Sequence, residues 1–389
     1  MESPELKNKE NMVGSQEFIK ERLGLIVDDG SAGFLKLDIN TVSDYEAIDG
    51  KKNIKLDSPD TLFEYFEKAE IIEPDKICRP KGDTTFFTTA GIQHIETILR
   101  DDEGLKKKLF AVTQPVIRSQ FMDKVCEGTS SSFVNFSVES IDSSIEDYIS
   151  LFKNLINMIL SHGVNTKDLR FSLKDDSVKW GQRRFKNSSI KIHLNNIEIG
   201  ECVYIYDFPV SQENNISITD LGFGIERLRW VMNQTSPYFS EFESIYKTHD
   251  TNSANEIASI LDPIRAMILI AGEGVKGSNS DHGYRLRQFS KRFVERNKFL
   301  KMDIRDLVHA SLEYWGKWGY NPILSESEIT NVIQVENERN FNVQFVSELE
   351  KIQGKRLRIE VNQPVSDFLS QVRFSVSEDI ISNIIKTIT

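Results

Sequence analysis

The stretch Ile216-Ser-Ile-Thr-Asp-Leu-Gly-Phe-Gly-Ile-Glu-Arg227 combines an acid, two glycines and an arginine at spacings that suit phosphate chemistry. It reads as a strand, a Gly-x-Gly turn and a helix start. Gly222 and Gly224 carry no Cβ, so a ligand can approach the backbone closely. Arg227, in the first helical turn, then places a guanidinium beside that approach, and its fork suits a phosphate. A plain turn is the ordinary alternative for so short a motif. Arg118 is a second candidate, at the end of the strand-like run LFAVTQPVIR. An arginine held on rigid antiparallel strands can fix a phosphate for in-line attack, where positioning and charge stabilisation supply most of the rate; a solvated strand end is the alternative. Phe133 and Phe136, in the next strand, and Trp180 are candidates to stack a ring or wall a pocket, although strand aromatics more often fill cores.

These residues need rigid elements beneath them, and the chain is long enough to supply them. At 389 residues it exceeds what one core usually organises. A 39% apolar fraction with 28% charged residues describes a globular chain rather than a disordered one. No run approaches 18 apolar residues, so no membrane helix is expected. The polar start MESPELKNKENMVGS lacks the layout of a secretory signal, and Cys78, Cys126 and Cys202 are too scattered for a disulfide framework or a paired zinc site. The expectation is a cytoplasmic protein. A net charge of −11 argues against indiscriminate nucleic-acid binding, yet 284–301 concentrates Arg285, Arg287, Lys291, Arg292, Arg296, Lys298 and Lys301. Such a local excess is what phosphate-backbone contacts require.

The elements divide into stretches. Residues 1–57 read as an N-terminal extension of unknown role. From Ser58-Pro59, a helix start, the text alternates short helices with strands: TTFFTT, LFAVTQPVIR, SFVNFSV, SIKIHLNN, EIGECVYIYDF and NISITDL, with a long amphipathic helix in IEDYISLFKNLINMILSH. Beyond about 241 helical periods dominate. The expected fold is α+β: an antiparallel sheet flanked by helices over 58–240, followed by an all-helical domain over 241–389.

In that order the chain resembles the class II aminoacyl-tRNA synthetases, most of all the alanyl-tRNA synthetase branch. Phe86-Phe-Thr-Thr-Ala-Gly-Ile92 is similar to that family's Phe-Thr-Asn-Ala-Gly-Met segment, and Arg118 falls on its motif 2 arginine. Asp220-Leu-Gly-Phe-Gly-Ile-Glu-Arg227 is similar to its motif 3. Asp262-Pro-Ile-Arg265 and the run from Gly272 through Ser278-Asn279 to Gly283-Tyr-Arg-Leu-Arg287 resemble its tRNA-recognising helical domain. The resemblance covers roughly residues 58–350.

It implies activation of a small amino acid, alanine or a close analogue, with ATP and Mg2+, and transfer to the 3′ end of tRNA. Arg118 would hold the α-phosphate and the amino-acid carboxylate, and Arg227 the γ-phosphate end. Phe133 or Phe136 would face the adenine, with Gly224 beside it. Asp220 would bind the ammonium group, Trp180 and Val203 would wall the side-chain pocket, and Gly222 would floor it. Asn279, with Arg285, Arg287, Lys291 and Arg292, would meet the tRNA acceptor stem. The alanine branch implies a monomer.

Four departures bear on that reading. The family's substrate-placing asparagine falls on Glu201, a second carboxylate beside Asp220 that favours a substrate with an extra cationic or hydroxyl group, or points away. The acid used near the ATP magnesium falls on Lys191, which can neutralise phosphate but cannot ligate Mg2+. Ser131 and Ser132 stand where motif 2 carries paired histidines. The family's editing and C-terminal domains have no counterpart in these 389 residues, which implies a truncated alanyl-tRNA synthetase-like enzyme. Two other classes compete: a paralogue that passes the activated amino acid to a non-tRNA acceptor in biosynthesis or resistance, and a non-catalytic tRNA-binding or regulatory paralogue.

Overall fold

A computed structural model describes residues 16–28, 30, 33–38, 40, 45, 56, 58–96, 108–122, 124–125, 129–180, 183–210, 215–233, 238, 241–243, 247 and 254–388, without the side chains of Trp180, Arg183 and Phe299. Cys126 lies outside the described residues. The chain divides into two compact units. The first comprises Met1–Val116, Phe133–Pro237 and Lys317–Tyr320; the second comprises Ile117–Ser132, Tyr238–Gly316 and Asn321–Thr389.

A sheet of nine described strands organises the first unit: β1 (Leu25–Val27), β2 (Leu35–Leu37), β3 (Glu70–Ile71), β4 (Lys108–Ile117), β5 (Ser132–Ile141), β6 (Leu169–Trp180), β7 (Arg183–Leu194), β8 (Ile197–Pro209) and β9 (Asn215–Gly224). Their order is β1-β2-β6-β7-β8-β9-β5-β4-β3. Pairing is antiparallel at β6·β7, β7·β8, β8·β9 and β5·β9, and parallel at the short β3·β4 edge. The α+β reading therefore holds. Strands β1 and β2, from the stretch taken as an N-terminal extension, form one edge of this same sheet.

Helix α1 (Gln16–Leu23) and the single turn α2 (Asp60–Phe63) precede the principal helix of this unit, α3 (Ile145–Ser161). Its start is written in the sequence: the Ser144 side chain accepts the Asp147 N–H, and Asp147 accepts the Ser144 N–H, a reciprocal cap. Tyr148, Phe152, Leu155, Ile156 and Ile159 form its buried stripe; the helix packs on β8 and β9, Tyr148 donates to the Cys202 carbonyl at 3.2 Å, and the Phe152 ring meets Phe171 of β6. Fully burying one such apolar side chain is worth about 1.5–3 kcal/mol, so this stripe holds helix to sheet. Phe63, Phe66, Phe136 and Phe223 pack together, with ring centroids 5.2–5.7 Å apart.

Two elements differ from the sequence reading. TTFFTT is not a strand; only an isolated Cys78–Phe87 bridge forms there. Its threonine hydroxyls take the backbone instead, Thr85 donating to the Phe87 carbonyl and Thr88 to the Lys76 carbonyl, a local competition that disfavours a ladder. Conversely, FSLKDDSVKW is β6. Lys174, Asp175 and Asp176 are exposed there, which obscures the strand's alternation.

The second unit contains α5 (Ala254–Gly272), α6 (Asp281–Leu300), α7 (Ile304–Lys317), α8 (Glu326–Gln353), α9 (Val365–Arg373) and α10 (Glu378–Ile388); α4 (Ile225–Asn233) belongs to the first. α5 is buried along almost its whole length. Arg265 within it is fully buried, bonded to Glu241 at 3.0 Å and boxed by the rings of Tyr238, Tyr314 and Trp315. α8 begins with a second reciprocal cap, Ser325 with Glu328, and ends at Gly354, whose φ of 65° is one a side chain would resist. No described helix is long and apolar enough to cross a membrane.

Replacing Ser144 by alanine leaves the N–H of Asp147 without its cap. The expected loss is about 1 kcal/mol, read as a lowered guanidinium midpoint with an unchanged slope; a midpoint within error of the parent would show that the cap contributes nothing to the sheet unit.

Candidate functional site

Side chains alternate along a strand, and directly opposed residues of neighbouring strands point to the same side. Asn135, Ser137 and Glu139 of β5 oppose Gly224, Gly222 and Asp220 of β9. Gly222 and Asp220 in turn oppose Glu201 and Val203 of β8, and Glu201 opposes Lys191 of β7. With Phe133, two residues before Asn135, seven of the expected site residues thus share one face: Phe133, Lys191, Glu201, Val203, Asp220, Gly222 and Gly224. The intervening residues Phe136, Phe223, Cys202 and Leu221 face the other way and are buried. Phe136 is consequently not brought to this face; it belongs to the aromatic core beneath.

The glycines act by leaving room. Neither Gly222 nor Gly224 has positive φ, and β9 runs through both, so the expected turn is a strand end. A Cβ at Gly224 would stand 3.2 Å from the Phe133 ring, and one at Gly222 would stand 3.2 Å from the Asn135 amide. A third glycine, Gly91, closes the site over Ser137 and Glu139, where a Cβ would collide with the serine side chain; its N–H donates to Asn135 Oδ1 at 2.9 Å. Farther along, Ile92, Ile95, Ile141, Val203, Ile205 and Ile218 form an apolar cluster.

Two acids escaped the sequence reading. Glu139 is fully buried, and neither carboxylate oxygen receives a well-formed hydrogen bond, since the nearby Ser137 hydroxyl donates to Asn135 Oδ1 at 3.1 Å. Burial pushes the Glu139 carboxyl well above the usual carboxylate range; the adjacent Asp220 charge adds to this, and Ser137 opposes it only in part. Its signal was present: in SFVNFSVES it continues the 133, 135, 137 alternation. Glu198 had no such signal. Its carboxylate holds Lys191 Nζ at 2.8 Å, and its carbonyl accepts from Arg227 Nη1 at 3.2 Å. The Glu198 bond raises the Lys191 pKa, whereas burial lowers that of Arg227. Glu226, beside Arg227, takes the Val134 N–H on its carboxylate and thereby ties the start of α4 to β5.

Arg118 belongs to the second unit. Half-buried just after β4, it donates its N–H to the Ser131 carbonyl at 2.8 Å. Ser131 is held in turn by the fully buried Asp262, which accepts its N–H at 2.7 Å and its hydroxyl at 2.5 Å, and accepts the Tyr238 hydroxyl at 2.6 Å. Burial still raises the Asp262 pKa against these bonds. Charged Asp262 and Arg265 inside an otherwise apolar helix were the sequence signal for this anchorage. Trp180 ends β6 opposite Arg183, and its side chain lies outside the described residues.

The basic segment is α6 and the turn before it. Lys291 and Arg292 flank Glu295 at 3.8 and 3.9 Å, with Lys291 64% exposed. Arg285 donates to Gln288, Arg296 to the Ser259 carbonyl, and Arg287 to the exposed Asn279. Among the described residues no group of three acids, histidines or cysteines is placed to hold a metal ion.

Because the Glu139 pKa is higher folded than unfolded, its stabilising contribution is complete below about pH 4.5 and is lost as pH rises through the folded value. Glu139→Gln should therefore become progressively more stable relative to the parent as pH is raised from 4.5 to 8, in paired denaturant melts. A difference constant with pH would mean that Glu139 does not titrate above its ordinary range.

No family model matches the chain. Over 172 residues, 40% of this chain, it is 30% identical to an alanine–tRNA ligase of Buchnera aphidicola subsp. Baizongia pistaciae (strain Bp), and the match spans 19% of that relative's length. Among solved structures, the pyrrolysyl-tRNA synthetase PylSc of Desulfitobacterium hafniense aligns over 51% of this chain and 72% of its own, with 12% identity and a TM-score of 0.34, too slight a likeness to weigh. Over that segment the chain's sequence is similar to that of an alanine–tRNA ligase.

Proposed function

We propose that the chain activates a small amino acid with ATP and transfers it to the 3′ end of a tRNA. The observation that carries this reading is the single sheet face on which Phe133, Gly224, Gly222, Asp220, Glu201 and Val203 lie in register. A carboxylate oxygen of the amino acid attacks the α-phosphorus, the bond to the bridging oxygen breaks, and pyrophosphate leaves. Asp220 holds the ammonium group in a partly dry pocket. Gly222 leaves the floor open, and Val203 limits the side chain. The Phe133 ring faces the adenine over Gly224. Arg118 and Arg227 neutralise phosphate charge as it develops.

Magnesium would arrive with the triphosphate, held by phosphate oxygens and water, and would supply further charge neutralisation. Lys191, ion-paired to Glu198, stands where an acid would meet that ion in the family. The protein's own share here is therefore cationic rather than ligating.

Glu201 places a second carboxylate on this face near Asp220, so the amino acid is best sought with a pyrophosphate-exchange panel spanning alanine, serine, glycine and short diamino acids. Exchange with alanine alone would dismiss an altered pocket. Silence across the panel, with RNA binding retained, would favour the non-catalytic reading.

Asp220→Ala should abolish amino-acid-dependent exchange while ATP affinity stays within about twofold, since the ammonium contact belongs to one substrate only; equal loss of both would contradict the role. Arg118→Ala should cost on the order of 3–4 kcal/mol of transition-state stabilisation, seen as a kcat decrease larger than any rise in KM for ATP. Near-normal turnover would remove Arg118 from the chemistry.

A further inference from the structure

The corner between α6 and α7 faces α8 and the end of α10 across an open cavity of about 580 Å³. Small-molecule sites run from about 300 to 1,000 Å³. The walls are of two kinds. Phe293, Met302, Ile304 and Phe341 supply apolar surface, while Lys298, Lys301 and Arg305 bring three cations to an exposed rim. Asp303 is the one acid on the lining among the described residues, and its Oδ1 accepts the Arg305 N–H at 2.7 Å. The cavity is thus cationic on a chain whose net charge is −11. Neither Lys301 nor Arg305 forms an ion pair among the described residues.

The corner is built to hold its shape. Asn297 donates from Nδ2 to the Met302 carbonyl at 3.0 Å and accepts the Met302 N–H on Oδ1 at 2.8 Å. Between them Lys301 ends α6 in the left-handed region, at φ 51°, with its N–H on the Asn297 carbonyl at 2.7 Å. Glycine takes that conformation freely; a lysine takes it under strain. The strained residue is also one of the two unpaired cations. Two amides add donors. The Ser290 hydroxyl receives the Asn340 amide at 2.6 Å and gives its one proton to Asn337 Oδ1 at 2.8 Å. That leaves the Asn337 NH2 without a partner among the described residues, and Gln334 makes no side-chain hydrogen bond among them. Both residues line the cavity.

We propose that this cavity is a binding site for a nucleoside monophosphate, whose base lies against Phe341, Met302 and Ile304 and whose phosphate meets Lys301 and Arg305. An apolar carboxylate would use the cations and leave the amides unmatched. Inorganic phosphate would leave the apolar wall bare. A nucleotide matches all three features: a flat apolar face, an edge of hydrogen-bonding atoms, and a compact anion. Lysine meets phosphate as a point charge and arginine by its fork, and asparagine and glutamine amides pair with base edges. The lining residues all belong to the helical unit, so the site goes beyond the proposed activity and does not rest on it. A free nucleotide and the unpaired end of an RNA strand offer the same chemistry.

The test irradiates the full chain with 8-azido-AMP and identifies the labelled peptides by mass. Label is expected within 293–305 or 334–341, with AMP protecting and ribose 5-phosphate protecting far less. Lys301→Gly and Arg305→Ala should each weaken labelling there on the order of tenfold. Lys301→Gly should do so with a thermal midpoint no lower than the parent's, because it removes the backbone strain along with the charge. Protection by AMP at a lower concentration than tetra-adenylate identifies a free nucleotide as the source; the reverse order identifies a strand end. Label confined to the sheet unit would overturn the proposal, as would label in the helices that neither substitution diminishes. Equal protection by ribose 5-phosphate and AMP would reduce the site to an anion patch and reject it. Stronger protection by decanoate than by AMP would reject it in favour of an apolar carboxylate. Peptides of the two units are read separately, so failure of the sheet site to take nucleotide leaves this result standing.

Discussion

The pleat of three neighbouring strands is the constraint on which the candidate site depends. One residue of slip between β5 and β9 would carry Asp220 into the core and Phe223 to the surface, because side chains alternate with a period of two. The register is held from both sides. On the buried side, Phe136 meets Phe223 at 5.2 Å within an aromatic cluster, and Cys202 opposes Leu221. On the other side, a Cβ at Gly91 would collide with Ser137, and one at Gly222 or Gly224 would stand only 3.2 Å from its neighbour. Glu226 adds a third restraint by holding Val134 N–H. An apolar core thus specifies where polar groups stand on the opposite face.

That face carries an unusual balance of charge. Glu139, Asp220 and Glu201 lie within two residues of one another along the ladder, while the nearest lysine is already satisfied by Glu198. Two carboxylates side by side in a poorly solvated place do not both ionise readily, so one tends to hold a proton. Glu139, buried and lacking hydrogen bonds, is that one. Asp220, across the ladder from it, is half-exposed.

Much of this was legible from the residues. The strand LFAVTQPVIR ending at Arg118, the strand SFVNFSV, the long helix with its serine cap and the helix opening at Ile225 all have local signals, and all are present. The site residues on β8 and β9 came from a family resemblance, and only pairing shows that they share a side. What stayed hidden has physical causes. TTFFTT has strand-like composition, but its hydroxyls bond locally. β6 is a strand whose exposed end reads as charged loop. Glu198 gains its partners through a register shift near Ile192 and His193, which no linear pattern announces. Trp180 and Cys126 fall where side chain or backbone is not described.

The anchorage of Ser131 has a mechanical corollary. Strands β4 and β5 lie in the sheet, yet the loop they enclose counts with the helices, because a carboxylate buried in α5 grips its far end through a backbone and a hydroxyl bond at once. The hairpin tip is a passenger of the helical body. Heat or denaturant that loosens α5 releases the loop bearing Arg118 in the same step, with the helices and not with the strands from which the loop grows.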